Sequence, residues 1–374
     1  MRRTKTGKTG HSGKTGIDAL RARIDRLDEQ LLGLLNQRAQ LVWEIGERKR
    51  ASAHGAVFYA PGREKYIYSR LKKLNRGPLP DESVRSIFRE VISGCITLEQ
   101  PLRIAYFGPE ATFTHLAALE QFGSSAAFVP VDSIPGVFDE VEHRRVDYGV
   151  VPVENSTQGV VAQTLDRFVS SPLTIKAERL LRIDHYLMSR GGRADDVHRI
   201  VSHAQSLAQC RQWLAEHFPG VPQEEVSSNA KAAAEAARDP HTAAIAGRLA
   251  AEHYDLRVIA AHIQDQAKNF TRFLVIGNDG VGGATGDDKS TVLFSVRHEP
   301  GVLFKLLKPF ADHKVNLTSI ESRPLTGRPW EYFFFLDFEG HAKDRKVARA
   351  LKQLEKLSLS CRVIGSYAAA RQPA

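Results

Sequence analysis

The 374-residue sequence predicts three domains of different class: an all-α helical domain, an α/β domain, and an α+β domain with a ferredoxin-like order of elements. Three observations predict this. From Ile17 to Ile45 apolar residues recur in alternating steps of three and four, the period of one helix face. From Leu102 the pattern changes to short apolar runs separated by helical stretches, the mark of an α/β sheet. Beyond a polar, glycine-rich stretch the runs follow the order β-α-β-β-α-β. The predicted organisation is a disordered basic tail over 1–16, a helical domain over 17–100, an α/β domain over 102–278, a linker over 279–289 and an α+β domain over 290–368.

The first helix runs from about Ile17 to Arg50, with Asp18 near its start. AHGAVFYAPG breaks it, and Pro61 opens a second helix at a first-turn position, where its missing N–H costs nothing. NRGPLPDES breaks the chain again, and Asp81 or Ser83 is expected to cap a third helix that ends near Gln100. In the α/β segment RIAYFG, YGVVPVEN, RIVSH, AAIAG and RFLVIG read as strands of a largely parallel sheet. In the last segment STVLFSVRH, KVNLTSIESR, WEYFFFLDFEG and LSCRVIGSY read as strands, with GVLFKLLKPFADH and DRKVARALKQLEKL as the two helices.

Composition narrows the function. The chain is 42% hydrophobic and 25% charged, an ordinary globular balance, with a formal charge of +9. That excess suits either nucleic acid or an anionic metabolite. No nucleic-acid reading motif is present, so a small anionic partner is expected. Cys95, Cys210 and Cys361 are far apart with no C-x-x-C, which predicts neither a disulfide framework nor a metal site and suggests a reducing cytoplasm. No apolar run approaches the ~20 residues of a membrane span. The basic start has no hydrophobic segment and does not read as a secretory signal. GHSGKT within it imitates a phosphate loop, but the first glycine of that pattern falls on Lys8 and no strand precedes it.

One residue interrupts the leucine stripe. Between Leu34 and Leu41 it carries Arg38. A guanidinium on a core face is costly unless paired, so a buried anion is one reading and a snorkelling arginine is the other. Lys49 follows eleven residues on, about three turns and roughly 16 Å along the same face, within joint reach of one small anion. Arg21 lies about 26 Å before Arg38 and is rotated by roughly a quarter turn. One straight helix cannot bring Arg21 and Lys49 to one ligand, so a second chain must supply Arg21, and a long apolar stripe favours self-association. Cys95 and Glu99 share a face of the third helix, and Arg63 and Glu64 follow the proline turn. Several cations, one or two carboxylates and no evident nucleophile suit a reaction that needs positioning and charge stabilisation only.

LRARIDRLDEQLLGLLNQRAQLVWEIGERK, REK and the third helix resemble the all-helical class of chorismate mutase. The resemblance implies rearrangement of chorismate to prephenate in an intertwined dimer. It implies substrate contacts by Arg21, Arg38, Lys49, Arg63, Glu64, Cys95 and Glu99, with Arg21 crossing to the partner's site. Where relatives carry an aspartate, a serine and a glutamine, this chain has Ala60, Cys95 and Glu99. An ionised glutamate cannot donate the hydrogen bond that glutamine gives the substrate's ether oxygen, so a mutase activity that falls as Glu99 ionises is expected.

In the middle segment GPEATFTH, VENSTQG, SHAQSLAQ and SSNA place hydroxyls and amides where strands end and helices begin, which suits carboxylate binding or plain N-capping. With NFTRFLVIG they resemble prephenate dehydratase, a two-lobed, periplasmic-binding-protein-like fold that removes carboxylate and hydroxide from prephenate to give phenylpyruvate. The resemblance places its essential threonine on Thr271, followed by Arg272 and Phe273. It places other cleft residues on Asn155, Ser156, Thr157, Ser202, His203, Gln205 and Ser206. Ala111 and Ala204 stand where relatives often have glycine and proline, with small backbone effects expected. Loss of CO₂ and aromatisation drive this chemistry, so no cofactor and no metal are required.

PGVLFKLL and NLTSIESRP resemble an ACT domain, an amino-acid-binding module. Beside a dehydratase this implies feedback inhibition by L-phenylalanine through Gly301, Val302, Leu303, Glu321, Ser322 and Arg323. The three matches in this order resemble the bifunctional chorismate mutase/prephenate dehydratase family, expected to be a cytoplasmic homodimer or higher oligomer with no nucleic-acid or membrane partner. A dehydrogenase in place of the dehydratase would need a dinucleotide fingerprint, and RIAYFGPEATF offers only Gly108. A non-enzymatic ligand sensor would leave the cationic helical site and the T-R-F motif without a purpose.

Overall fold

The computed structural model describes residues 12–51, 59–278, 280–297, 299–324 and 332–370. Its first three elements are helices: α1 (Ser12–Arg50), α2 (Pro61–Leu74) and α3 (Asp81–Glu99). α1 begins at Ser12, so the expected disordered tail is helical over its last residues, because an established helix extends outward at little cost per residue. The remainder of that tail, 1–11, lies outside the described residues, as does most of AHGAVFYAPG. Pro80 occupies the N-cap of α3 with no side-chain cap, and Asp81 and Glu82 stand in the first turn, where their charge meets the helix dipole. The expected cap by Asp81 or Ser83 is therefore absent.

α1 is nearly all exposed. Ile17, Leu20, Ile24, Leu27, Leu31, Leu34, Leu41 and Ile45 are each 49–61% accessible, so the stripe has no partner among the described residues. Only the last turns of α1 pack, and they pack on α3. Gly46 allows this, since a Cβ there would lie 3.0 Å from Glu99 Cγ.

The α/β segment follows as β1 (Arg103–Phe107), α4 (Phe113–Phe122), β2 (Ala127–Val131), α5 (Ile134–Glu142), β3 (Tyr148–Asn155), β4 (Gly159–Val160), α6 (Ala162–Ser170) and β5 (Thr174–Arg182). The chain then crosses into a second lobe, built from β6 (Tyr186–Ser189), β7 (Arg199–Ser202), α7 (Ala204–Gln209), α8 (Arg211–His217), β8 (Gln223–Glu225), α9 (Asn229–Arg238), β9 (Thr242–Ala246), α10 (Arg248–His253) and β10 (Arg257–Ala261). It returns through 262–269 to β11 (Phe270–Gly277) in the first lobe. The second lobe's sheet runs β10-β6-β9-β7-β8. α9 lays Ala230, Ala232, Ala233 and Ala236 on the fully buried Thr-Ala-Ala-Ile-Ala of β9, and small residues on both sides let the two backbones approach closely. Neither sheet is largely parallel. β1 pairs in parallel with β2 and β3, but β11 is antiparallel to β3 and β5, and β6 to β9 and β10, because β6 and β11 enter straight from the crossovers without a helix between.

The last segment is β12 (Asp288–Val296), α11 (Val302–Asp312), β13 (Leu317–Pro324), β14 (Tyr332–Glu339), α12 (Arg345–Leu357) and β15 (Ser360–Ala368), the expected β-α-β-β-α-β. Its sheet does not stand apart. β15 joins β5 through the single parallel pair Gly365–Ile175, so one sheet runs β13-β14-β12-β15-β5-β11-β3-β1-β2 across both domains. Gly365 is required at the seam, since a Cβ there would stand 2.7 Å from Ile175 Cβ. The core of the first lobe continues through the seam to Leu293, Phe335 and Ile364.

Candidate active sites

Two constellations emerge. The first is on the helices. Lys49 Nζ donates to Glu99 Oε2 at 3.1 Å, Arg50 donates to the Glu99 carbonyl, and Cys95 is buried one turn before Glu99 on the same helix. Arg38 is half-buried, and its Nη1 is fully enclosed with no hydrogen-bond partner among the described residues. An unpaired guanidinium N–H is costly, which suits an anion that arrives from outside the chain.

The other expected members lie elsewhere. Arg21 is exposed and, among the described residues, reaches only Asp18, at 3.5 Å. Arg63 is exposed, 4.9 Å from the centre of the Tyr66 ring. Glu64 lines a polar cavity with Tyr68, Arg85, Arg89, Glu120 and Arg179, between the helical and α/β domains. Burial pushes its carboxyl up to about 8, against the pull of Arg85. That cavity includes none of Arg38, Lys49, Cys95 or Glu99. Within one chain the structure thus brings together Lys49, Cys95 and Glu99, and not Arg21, Arg63 or Glu64.

The second constellation is at the cleft between the lobes, and it is made of amides and hydroxyls. Asn155, at the end of β3, turns its oxygen back to its own loop, where Oδ1 accepts from Thr157 N at 3.0 Å, Gln158 N at 3.2 Å and Thr157 Oγ1 at 2.6 Å. VENSTQG therefore makes an Asx-type turn into β4 and does not start a helix. The Asn155 Nδ2 group donates to Thr271 Oγ1 at 2.8 Å and to Asn269 Oδ1 at 3.1 Å. Asn269 Nδ2 donates to Gln209 Oε1, and Gln209 Nε2 donates to Thr157 Oγ1, each at 3.1 Å. Asn155, Asn269, Gln209 and Thr157 close a ring in which every donor points the same way round. Gln209, at the end of α7, is its one member from the second lobe. Ser156 is tied to the strand backbone, its N donating to Phe270 O at 2.8 Å and its Oγ accepting from Phe270 N at 2.9 Å.

Across the cleft, Asn229 Oδ1 gathers Ser206 Oγ at 3.0 Å, Ser202 Oγ at 3.1 Å and His203 N at 3.3 Å. His203 caps α7, its Nδ1 accepting from Gln205 N at 3.3 Å. Thr112 and Ser228 cap α4 and α9, so at three of the four quoted segments plain capping accounts for a polar residue.

Arg272 and Phe273 do not join Thr271. Successive strand residues face opposite sides, and Arg272 points away from the cleft into the joint with the last domain. There it bonds Glu178 at 2.7 Å, Asp337 at 2.6 Å and the Tyr367 hydroxyl at 2.9 Å, while Lys289 donates to the same Glu178 at 3.1 Å. Phe273 is buried in the core with Tyr106 and Tyr148. In the last domain Gly301 caps α11 at φ 73, with Val302 and Leu303 opening the helix. Arg323 grips Asp166 of α6 with two bonds of 2.8 Å, and Glu321, on the same strand face, lines a cavity with Arg272, Phe335 and Asp337. Ser322 faces the opposite side and is exposed. Sequence reasoning did not single out Gln209, Asn229 and Asn269, although each lies in or beside a quoted segment. It missed His185, Glu178 and Asp337, whose partners are distant in the chain.

The comparisons with known proteins agree in order and extent. The prephenate dehydratase family profile matches residues 104–281, the type II chorismate mutase profile residues 20–100 and the ACT domain profile residues 290–356. A bifunctional chorismate mutase/prephenate dehydratase from Aquifex aeolicus is 46% identical over 355 residues, covering 94% of this chain and 97% of its own. A relative of the same description from Pseudomonas aeruginosa is 45% identical with the same coverage. The prephenate dehydratase of Arthrobacter aurescens, solved in complex with L-Phe, is similar with a TM-score of 0.67 at 37% identity, over 73% of this chain and 92% of that one.

Proposed function

This chain belongs to the bifunctional chorismate mutase/prephenate dehydratase family, and from that premise we propose which residues carry each step and how the last domain acts on them. The chain rearranges chorismate to prephenate and converts prephenate to phenylpyruvate. The mutase domain is 17–100, the dehydratase domain 102–278 and the ACT domain 290–368, joined by the linker 279–289.

In the mutase, Arg38 and Lys49 hold the substrate carboxylates, and Glu99 and Cys95 line the face opposite. Arg21 comes from a second chain, which the exposed stripe of α1 recruits, and Arg63 and Glu64 complete the site in that assembly. The rearrangement forms no covalent intermediate with the protein, so holding the substrate compact and matching its charge is the whole task.

In the dehydratase, the observation that carries the reading is the Asn155–Thr271 bond. Asn155 donates to Thr271 Oγ1, so the threonine's own proton is free to turn toward the cleft. Thr271 gives that hydrogen bond to the hydroxyl that leaves as CO₂ departs. Threonine is a weak acid, and its contribution is a proton held at the right place. Asn155, Ser156, Thr157, Ser202, His203, Gln205 and Ser206 shape the cleft around the substrate. Arg272 supports β11 from behind, and Phe273 anchors it in the core on the Thr271 side.

The ACT domain fits control by phenylalanine, held by Gly301, Val302, Leu303, Glu321, Ser322 and Arg323. Among the described residues no helix is long and apolar enough to cross a membrane. The dispersed cysteines favour the cytoplasm.

The test is to supply chorismate and follow its loss and phenylpyruvate formation with and without L-phenylalanine. Both reactions, with phenylpyruvate suppressed by phenylalanine, are expected. Prephenate that accumulates would overturn the assignment of Thr271, and inhibition that survives replacement of Glu321 or Arg323 would overturn the effector site.

A further inference from the structure

His185 lies where the chain first crosses between the lobes, is 1% exposed, and belongs to none of the motifs that identify the family. Its Nε2 stands 2.8 Å from Gln209 Oε1, and its Nδ1 is enclosed with no hydrogen-bond partner among the described residues. The ring decides which nitrogen carries the proton. Backbone N–H groups fix the Asn155 oxygen, so its Nδ2 must meet the Asn269 oxygen. Asn269 Nδ2 must then meet Gln209 Oε1, which is therefore an acceptor. The imidazole nitrogen facing it is the N–H. Nδ1 is left as a bare acceptor, a smaller cost than a buried unpaired donor.

We propose that His185 is a positioning residue of the dehydratase: its Nε2–H holds the Gln209 carboxamide across the hinge and so keeps the ring beneath Thr271 closed. Without that bond the Gln209 amide is left with its two ring contacts and turns over more readily. Its NH₂ then faces the Asn269 NH₂, donor against donor, and the support of Asn155 and Thr271 loosens. The inference rests on the reading of Thr271 as the catalytic hydroxyl.

Two amides of different reach test it in the full-length chain. A glutamine Nε2 stands as far from its backbone as the imidazole Nε2, and an asparagine Nδ2 falls one bond short. With prephenate as substrate, H185Q is expected to keep kcat within about threefold of the parent. H185N is expected to lose about 10- to 100-fold in kcat with KM within about threefold, since the defect is in placement of the reacting group. Mutase activity, unchanged in both, controls for folding. Should H185N lose it, H185M replaces it in the comparison, filling the space without a donor. Equal losses in H185Q and the donor-lacking variant, no loss in either, or a loss confined to KM would overturn the positioning role. T271V assayed alongside separates the two readings. An active T271V removes the catalytic assignment itself, and an inactive T271V with indistinguishable His185 variants removes only the role of His185.

Discussion

At the level of single residues, the dehydratase step as proposed turns on one proton. Because Thr271 already accepts from Asn155, its hydroxyl has a donor's role left to fill. T271V is expected to lower phenylpyruvate formation by about 10²–10⁴-fold, and T271S to retain much of the rate, with mutase activity unchanged in both. Glu99 makes a second prediction. Paired with Lys49, a carboxylate there can only accept, so E99Q, which restores a donor, is expected to raise mutase activity; an unchanged rate would remove the idea. Glu64 makes a third. Its folded-state carboxyl is raised from 4.5 to about 8 by burial, so across that window the unfolded chain gives up a proton that the native chain keeps. Stability therefore falls as pH rises through the window. In denaturant titrations E64Q is expected to gain on the parent by on the order of a few kcal/mol between acid and pH 8. Ala111 departs from the small backbone effect expected of it. It sits at φ 62, where an L-residue bears about 1–2 kcal/mol of strain that glycine would not, partly offset by its buried methyl.

At the level of elements, periodicity carried most of what was legible. Steps of three and four marked α1, and short β-branched runs marked β1, β3, β7, β9 and β11. The opposite facing of Thr271 and Arg272 was legible too, since adjacent strand residues must diverge; grouping them by motif concealed it. The start of α1 was not legible, because helix extension leaves no pattern in a polar segment. The mixed direction of the sheets follows from crossovers whose endpoints only the fold reveals. The ring of amides depends on contacts such as Asn155 with Asn269, 114 residues apart, and no local spacing encodes such a pair. Elements also set a stability test at the seam. G365A places a methyl against Ile175, 2.7 Å from its Cβ and 3.0 Å from its carbonyl oxygen. Overpacking of this kind costs about 1–3 kcal/mol, to be read as a lowered thermal midpoint.

At the level of the whole molecule, the strand that carries Thr271 also carries the bond to the ACT domain. Arg272 is held by Glu178 of its own domain and Asp337 of the other, one residue from Thr271. A change in how the ACT domain sits must therefore reach β11. D337N weakens one side of this buried cluster. It is expected to lower stability by about 1–3 kcal/mol and to weaken inhibition by phenylalanine more than it changes the uninhibited rate. Inhibition as strong as in the parent would dissociate the cluster from control. The bare stripe of α1 bears on a different property, the response to dilution. If, as proposed, the mutase site borrows Arg21 from another chain, it exists only in pairs. At low protein concentration the first reaction then falls off with the square of the chain concentration, whereas the second, whose proposed cleft residues all come from one chain, falls off in simple proportion. As the protein becomes scarce, the yield of prephenate declines before the capacity to consume it, and the intermediate does not pile up.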